Sequence, residues 1–447
     1  MTSPSPTPRL PLQAALAIAL ALLALAAVLA VRTGLADYWS GVASQQLNPI
    51  GATDNMQAAE SALRLAIRAR PGIAPYWSEL AMVESAANPS AALRDMRQAL
   101  QLNPSPAESW YELGLFQFQL GDIPAALAAL RQAEQHDPEG EHVHYEFANL
   151  ARALGQSNLF FEQLHAAAAV MDPGFVFEIL NAAYEARWPA ADMLSLLPSH
   201  RPGQRAQGVL YFAYRHDWNT AATAFQSLGR CNPYLQEHFC HAAATQLLDG
   251  LSQQARTGTD AASAIAVTQA QRAWDHALTI GVLRGTPAVR GLLHDGDFQY
   301  PWLGVLFSWR DTQVLPSVVE PAAGPGGINA VRFDFSGLDR QQGSLLEQDL
   351  WITPGQRYRI ALSSRDLAAP SERGVTADVV TPAGVILAQV TLPLQSQWSP
   401  ADLSFRAPAH TSVVTLQIKY GRPNGETLLH RSVEIAALRM QPEEGGH

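Results

Sequence analysis

Residues 110–138 read WYELGLFQFQLGDIPAALAALRQAEQHDP, and this stretch decides the architecture of the helical part of the chain. It predicts two helices joined by a turn at Gly121 and Asp122. Gly114 lets the first helix pass closely over the second, and Pro138 ends the second helix because proline cannot continue one. The residues predicted to pack this pair and close it are Trp110, Leu113, Gly114, Ala126, Leu130, Ala133 and Pro138.

The same pattern returns at a nearly constant period. The prolines that close successive helical pairs are 33, 34 and 35 residues apart, at Pro71, Pro104, Pro138 and Pro173. The matching positions in an earlier and a later copy are Trp77, Leu80, Ala81, Ala92 and Ala99, then Phe147, Ala148, Ala151 and Gly155. This pattern resembles the tetratricopeptide repeat, which implies a superhelix of four to five units over residues from about 35 to 230.

Two looser copies flank the clear ones. Ala59, Leu63 and Ala66 fit the second helix of an earlier unit. In a later unit the tripeptide at 216–218, His-Asp-Trp, replaces the Gly-Asp turn. One departure is Gln117, which occupies a position where the repeat usually holds tyrosine, so the concave surface is expected to have a different lining.

Composition limits the classes of function. The 447 residues are 47% hydrophobic and 16% charged, which describes a globular chain of two or three domains. The formal net charge is -10, Lys419 is the only lysine, and no run of five or more basic residues occurs. Nucleic acid is therefore not an expected partner, because binding to phosphates requires concentrated positive charge.

An apolar stretch near the amino terminus predicts a membrane anchor. Leu10 to Val31 are 22 consecutive uncharged positions. At 1.5 Å per residue this length crosses a hydrocarbon core of roughly 30 Å. A cleaved signal peptide is the alternative, since the small residues at 34–36 (Gly-Leu-Ala) could precede a cut, but the apolar run exceeds the usual signal core of about 7 to 15 residues. The flanking charges favour a cytoplasmic amino terminus and a periplasmic bulk, in a bacterial inner membrane.

The two cysteines, Cys231 and Cys240, are nine positions apart. If Pro233 opens a helix that contains Cys240, they lie about two turns apart, which is farther than the Cα separation of about 7 Å that a disulfide tolerates. Ordinary helix packing is therefore expected. A metal site that adds His238 and His241 matches no recognised zinc spacing.

After residue 290 the apolar period changes from that of helices to that of strands. Alternating apolar positions recur in short runs at 331–335, 358–362, 403–405 and 414–420. Turn sequences separate these runs at Pro354-Gly355, at Pro382-Ala383-Gly384 and at Pro423-Asn424-Gly425. Several short strands at this spacing predict an antiparallel β-sandwich.

The sequence of this region resembles the galactose-binding-like jelly rolls found among carbohydrate-binding modules. The resemblance rests on HDGDFQYPWLGVLFSWR, VRFDFSG, LLEQDLWITPGQRYRI, QWSPADLSFRAP and SVEIAALRM. Together, the apolar run, the helical repeats and this resemblance predict a tail and transmembrane anchor over 1–35, a tetratricopeptide-like helical solenoid over 36–290 and a jelly-roll sandwich over 291–447. The combination resembles accessory proteins of bacterial exopolysaccharide gene clusters.

Trp351 is the first candidate for glycan contact. Leu346, Leu350 and Ile352 alternate toward one face of their strand, which places Trp351 on the other face, where an aromatic ring could stack on a sugar. Trp309, Phe333 and Phe405 are expected in the core. Further polar candidates on outward strand positions, which could equally form a solvated sheet face, are Arg332, Asp334, Arg359, Gln417 and Lys419.

No catalytic constellation, cofactor motif or metal site stands out. Asp295 and Asp297 could contribute to a calcium site, but the remaining ligands cannot be assembled from sequence. His142 and His144 lie two residues apart, so they do not face each other on a helix and are expected at the surface.

Three hypotheses remain open. The first is a membrane-anchored periplasmic adaptor in exopolysaccharide synthesis or export, with a solenoid that binds protein components of the machine and a jelly roll that binds glycan or a second protein. The second is a purely structural interaction protein that does not bind glycan. The third, more distant, is a glycan-active enzyme.

Overall fold

The computed structural model describes residues 12–46, 55–231, 237–258, 260–312, 318–336, 342–367, 374–421 and 430–443. The chain divides into two compact units, Met1–Met171 and Asp172–His447. The first unit is helical, and the second combines helices with two β-sheets. The helices from Asp172 onward thus belong to the same compact unit as the sheets, whereas the sequence placed all helices up to residue 290 in one solenoid.

Consecutive helices of the first unit pack in pairs, α1 with α2, α3 with α4, α5 with α6 and α7 with α8. These pairs are the tetratricopeptide-like hairpins that the sequence predicts. Their bounds are α1 (Leu12–Gln46), α2 (Asn55–Ala69), α3 (Ala74–Glu84), α4 (Pro89–Leu102), α5 (Ala107–Gln119), α6 (Ile123–His136), α7 (Glu141–Ala153) and α8 (Ser157–Val170).

The α5–α6 hairpin shows why the sequence folds in this way. Gly121 adopts a φ of +79° in the turn, a conformation that glycine takes without steric cost. Asp122 then caps α6, because its Oδ1 accepts a hydrogen bond from the backbone N–H of Ala125 at 3.3 Å. At the crossing of the two helices, a Cβ atom on Gly114 would lie 3.1 Å from Cγ of Leu130. The predicted packing residues Leu80, Leu113, Ala126 and Ala133 are buried.

A repeated hydrogen bond ties the start of each hairpin to the proline that closes the preceding one. Trp77 Nε1 donates to the carbonyl of Pro71 at 2.8 Å, and Trp110 Nε1 donates to that of Pro104 at 2.7 Å. In the next repeat, His144 Nε2 lies 3.0 Å from the carbonyl of Pro138.

The expectation that His144 lies at the surface is therefore wrong. Only 3% of this residue is exposed, and its Nδ1 lies 2.8 Å from Oε1 of Gln163. The imidazole takes the place of the indole of Trp77 and Trp110, because both rings carry a nitrogen that can reach the proline carbonyl.

Helix α1 runs without interruption through residue 35, the predicted end of the anchor. Its later part forms the first hairpin, with Ala36 and Ala43 fully buried in one cluster with Leu63 of α2. Arg32 Nε donates to the carbonyl of Ala69 at 2.9 Å. One helix therefore contributes both the apolar stretch and half of a packed repeat. Leu10 of the apolar run lies outside the described residues.

The second unit begins with helices α9 (Val176–Glu185), α10 (Ala190–Ser195), α11 (Pro202–Tyr214), α12 (Trp218–Gln226), α13 (Glu237–Thr257) and α14 (Asp260–Thr279). The turn between α11 and α12 is the predicted His-Asp-Trp turn. His216 has a φ of +58°, and Asp217 Oδ1 accepts from the N–H of Thr220 at 3.1 Å. The inward residues of α12 and its end, Ala221, Phe225 and Leu228, are buried.

Cys231 and Cys240 form a disulfide, contrary to the expectation from sequence. Helix α13 begins at Glu237, so Cys231 precedes the helix and is not two turns away along it. The two Cα atoms lie 6.5 Å apart, within the reach of a disulfide. Pro233, on which the expectation depended, lies outside the described residues.

Within the residues that the structure describes, ten strands form two antiparallel five-stranded sheets. Sheet 1 has the order β1-β4-β9-β6-β7 and sheet 2 the order β2-β3-β10-β5-β8, the strand order of a jelly roll with one added edge strand on each sheet. The strands are β1 (Arg310–Asp311), β2 (Val318–Ala323), β3 (Asn329–Ser336), β4 (Gln342–Trp351), β5 (Arg357–Asp366), β6 (Val375–Val380), β7 (Ile386–Thr391), β8 (Ser399–Arg406), β9 (Val413–Gly421) and β10 (His430–Pro442).

The sheets enclose one apolar core, which confirms the predicted sandwich. Alternate residues of each strand point inward, so Phe333 of sheet 2 and Leu416 of sheet 1 are both fully buried in one cluster. Trp309 and Phe405 belong to this core as predicted. The predicted turn at Pro423-Asn424-Gly425 lies outside the described residues.

The crossing at Gly114 gives a test of the repeat register. We expect Gly114→Leu to lower the free energy of unfolding by about 1 to 3 kcal/mol, because the side chain would collide with Leu130 and with the backbone of Ala126. Gly72→Leu is the matched control, since a Cβ on Gly72 would meet nothing within 4 Å. Thermal unfolding of both variants measures the difference. Equal midpoints would contradict a close crossing at Gly114.

Candidate functional site

Trp351 lies on the outer side of sheet 1, as its position in the strand predicts, but it is not accessible. The residue is only 7% exposed. The guanidinium of Arg290 lies 4.4 Å from its ring centroid, and the ring of Phe307 packs edge-on at 6.4 Å. The segment between α14 and β1 covers this end of the sheet, so the prediction of an exposed sugar platform at Trp351 is wrong.

The predicted candidates on sheet 2 are engaged with neighbours on the sheet. Arg332 Nη2 and Arg365 Nε bind the fully buried carboxylate of Glu434 at 2.7 Å and 2.6 Å. Asp334 accepts a hydrogen bond from Ser432, and Arg359 pairs with Asp402 at 2.7 Å. Arg332, Asp334 and Arg359 therefore form ion pairs and hydrogen bonds with other residues on the surface of sheet 2.

Gln417 and Lys419 lie on the outer face of sheet 1, in adjacent outward positions of β9. Gln417 Nε2 donates to Oε1 of Glu347 at 2.9 Å. Lys419 Nζ lies 3.4 Å from Oδ2 of Asp378, whose Oδ1 accepts from Gln389 at 2.9 Å. The structure thus brings these two candidates together in one polar row and separates them from Arg332, Asp334 and Arg359.

A polar cavity of about 550 Å³ opens beside Lys419 and is lined in part by Thr376, Gln389 and Thr391. Asp378 is 1% exposed, and its Oδ2 accepts no hydrogen bond within the described residues. The ion pair of Asp378 with Lys419 and the amide of Gln389 at one cavity could bind the hydroxyl groups of a polar ligand.

An aromatic cavity of about 360 Å³ lies at the edge of the sandwich. Its walls include the partly exposed side chains of Tyr300 and Trp302, with Asp311 and Glu320 beside them. Asp295 holds this loop, because its carboxylate accepts from the backbone N–H of Gln299 at 2.6 Å and of Tyr300 at 3.2 Å.

This cavity combines partly exposed aromatic rings with carboxylates. The sequence carried a signal for it, since the aromatic run FQYPW at 298–302 lies in the segment that precedes the first strand, with seven residues between the run and Arg310. Asp297, the second calcium candidate, pairs with Arg439 at 2.6 Å. Among the described residues, no group of three or more histidine, cysteine or acidic side chains is placed to hold a metal.

A third cavity, of about 660 Å³, lies between α5 and α7 in the solenoid. Its described lining contains no arginine or lysine, and it includes Tyr111, His142 and the carboxylates of Glu108, Glu112, Asp137, Glu139 and Glu146. Glu112 and Glu146 occupy the same repeat position, two residues after Trp110 and His144, and Glu79 is their equivalent in the preceding repeat. The spacing of 33 and 34 residues between the three glutamates could have been found in the sequence.

The clustered carboxylates of this cavity favour the binding of a proton or a cation. Burial, together with the nearby Glu108 and Glu146, raises the pKa of Glu112 to about 7. Burial also raises the pKa of Glu79 and that of Tyr111, the latter with contributions from Glu146 and Glu112. A positively charged side chain of a partner would relieve this repulsion.

Solved structures with partial similarity include Pseudomonas aeruginosa PilF, at 19% identity over 44% of this chain and 91% of that one, with a TM-score of 0.32. A MamA protein is 18% identical over 42% of this chain and 91% of its own, with a TM-score of 0.30. A CBM4 structure is 13% identical over 30% of this chain and 87% of its own, with a TM-score of 0.24. No protein-family model matches the chain, and no curated protein matches it.

The raised pKa of Glu112 predicts a pH-dependent variant. The folded protein holds a proton that the unfolded chain releases above about pH 4.5, so this group lowers stability as the pH rises from about 4.5 to 7. We expect Glu112→Gln to raise the free energy of unfolding by about 1 to 3 kcal/mol at pH 8 and to have no effect near pH 4.

The control is Glu139→Gln, which removes the same charge from an exposed position of the cavity. Thermal unfolding of both variants at pH 4 and pH 8 makes the comparison. A Glu112→Gln variant that is no more stable than wild type at pH 8 would contradict the burial of Glu112 and the raised pKa that follows from it.

Proposed function

We propose that this protein is a membrane-anchored periplasmic scaffold of a polysaccharide synthesis or export machine. Its solenoid binds a protein partner, and its sandwich contacts glycan. The observation that carries the proposal is the continuity of α1, whose first part exposes an apolar surface and whose second part belongs to the solenoid core.

The exposed part of α1 has the properties of a membrane helix. Within the span Ile18–Gln46, the most apolar 18-residue window has a mean hydropathy of 2.3, and none of this window is buried by the rest of the protein. Leu20, Leu22, Leu23 and Leu25 are between 55% and 68% exposed. A continuous apolar surface of this kind needs a partner, and a lipid bilayer provides one.

The contacts of α1 favour an anchor over a cleaved signal peptide. A cut after Ala36 would divide the helix inside the first hairpin. It would remove Arg32, which caps the end of α2 at the carbonyl of Ala69, and would leave Asp37, the partner of the Tyr76 hydroxyl at 3.1 Å, at a new amino terminus. Retention of the helix keeps both contacts.

The disulfide between Cys231 and Cys240 supports a periplasmic location, since disulfides persist in oxidising compartments. The acidic cavity between α5 and α7 supports a partner segment with basic side chains. The aromatic cavity with Tyr300 and Trp302 supports glycan contact through ring stacking. Binding, not catalysis, is the activity that these features serve.

A charge reversal in α1 tests the anchor. We expect the double variant Leu23→Arg, Leu25→Arg to leave the membrane fraction on carbonate extraction, because two arginines in a spanning helix cost about 5 to 7 kcal/mol. Leu65→Arg is the control, since it places the same charge on an exposed leucine of α2.

In cells that express the wild-type protein, alkaline phosphatase fused after His447 should be active. Both cysteines of the wild type should resist alkylation until they are reduced. Carbonate-resistant association of the double variant, or free thiols in the wild type, would count against a periplasmic anchored protein.

Glycan contact predicts a second phenotype. We expect Trp302→Ala to weaken retardation of the full-length protein, solubilised in detergent, by about fivefold or more in gels that contain the host's own exopolysaccharide, which corresponds to about 1 kcal/mol of stacking. Trp398→Ala is the control, a partly exposed tryptophan that packs on Arg365 instead. No retardation of the wild type would favour a scaffold whose sandwich contacts protein alone.

A further inference from the structure

A fourth cavity, of about 670 Å³, lies among the helices of the second unit, between α9, α10 and the turn that joins α11 to α12. Met193 and Phe212 are buried and form its floor. Its open side carries aromatic rings, since Tyr184 is 49% exposed and Tyr214 is 77% exposed. Large exposed rings beside a cavity provide flat surfaces for a ligand.

Arg215 is held over this cavity by stacking. Its guanidinium carbon lies 3.4 Å from the ring centroid of Tyr184 and 5.7 Å from that of Tyr211. Stacking fixes the plane of a guanidinium, and the N–H donors of Arg215 that are not shared with Tyr184 and Tyr211 can bind an anion. In the part of the chain that the structure describes, Arg215 forms no ion pair with a carboxylate.

Asp217, the acidic residue in the lining, is committed to another role. Its Oδ1 accepts from the backbone N–H of Thr220 at the start of α12, where the helix dipole also stabilises a negative charge. The charge of Asp217 is therefore used locally, and the cation of Arg215 remains for a ligand.

The backbone of this turn has the same conformation as the other two turns, but without a glycine. The α5–α6 and α7–α8 turns place Gly121 and Gly155 in the left-handed region, with φ of +79° and +68°. The equivalent residue of the α11–α12 turn is His216, at a φ of +58°. A residue with a Cβ is strained in this region, and such strain is typical of binding sites. The exposed imidazole of His216 adds a polar group to the cavity rim.

From this geometry we infer that the cavity binds a sugar ring that carries a carboxylate, as in an acidic glycan. The apolar face of the ring would lie on Tyr214, since Arg215 covers a face of Tyr184, and Arg215 would bind the carboxylate in a two-pronged contact. A broad, exposed aromatic rim suits a sugar ring better than a peptide side chain, which buries itself in an enclosed pocket. The site is separate from the sandwich cavities, so its failure would leave the proposed scaffold function intact.

The test is calorimetric titration of the full-length protein in detergent with oligogalacturonate and with its carboxyl-reduced counterpart, which has the same ring faces and no charge. We expect the wild type to bind the acidic oligomer at least tenfold more tightly. Arg215→Gln should lose this preference, and Tyr214→Ala should weaken the binding of both oligomers. Arg284→Gln is the matched control, because it removes an exposed arginine of the same unit outside the cavity.

Circular dichroism of each variant shows whether the helices remain folded. No binding of oligogalacturonate to the wild type would overturn the inference. Equal affinity for the two oligomers, or an unchanged preference in Arg215→Gln, would also overturn it. Binding of carboxylate-terminated peptides at Arg215 in place of the oligomer would assign the cavity to a protein partner and reject the sugar.

Discussion

The close crossing of two helices within each hairpin is the constraint on which the first unit depends. A single hairpin cannot bury its apolar face, so each hairpin must stack on the next. Within a hairpin, the two helices can approach closely only where small residues lie at their crossing. Gly114 satisfies the requirement between α5 and α6, and Ala36 and Ala43 of α1 are fully buried in the first hairpin. Because α1 also contains the apolar stretch, the register of the first repeat fixes how far that stretch extends beyond the solenoid.

In the second unit, the segment between α14 and β1 joins the helices to the sandwich. Gln348 of β4 is 1% exposed and forms two hydrogen bonds with the backbone of His294, at 3.0 Å and 2.7 Å. Ser252 of α13 accepts from the N–H of Leu306 at 2.9 Å. The α13–α14 hairpin and sheet 1 therefore pack together as one body. This explains why Trp351 is covered and why the accessible aromatic residues lie instead in the loop around Trp302.

The features that follow a repeat period could be predicted from the sequence. The spacing of prolines and small residues gave the hairpins, and the two-residue alternation gave the sandwich and the inward side of Leu350. What could not be predicted depends on contacts between distant segments. Trp351 was placed on the correct face of its strand, but period alone does not reveal what covers that face. His144 was misjudged because its partner is a proline carbonyl, and the disulfide because the start of α13 was placed too early.

The two helical cavities differ in charge, and this difference constrains what each can bind. The solenoid cavity holds several carboxylates and no arginine or lysine in its described lining, whereas the cavity of the second unit presents the stacked cation of Arg215. A chain with a net charge of -10 repels anions at long range, but salt screens such repulsion beyond about 8 to 10 Å at physiological ionic strength. Selection of an acidic sugar would therefore come from the short contacts at Arg215 and Tyr214. A basic partner segment, by contrast, would be attracted to the solenoid at both long and short range.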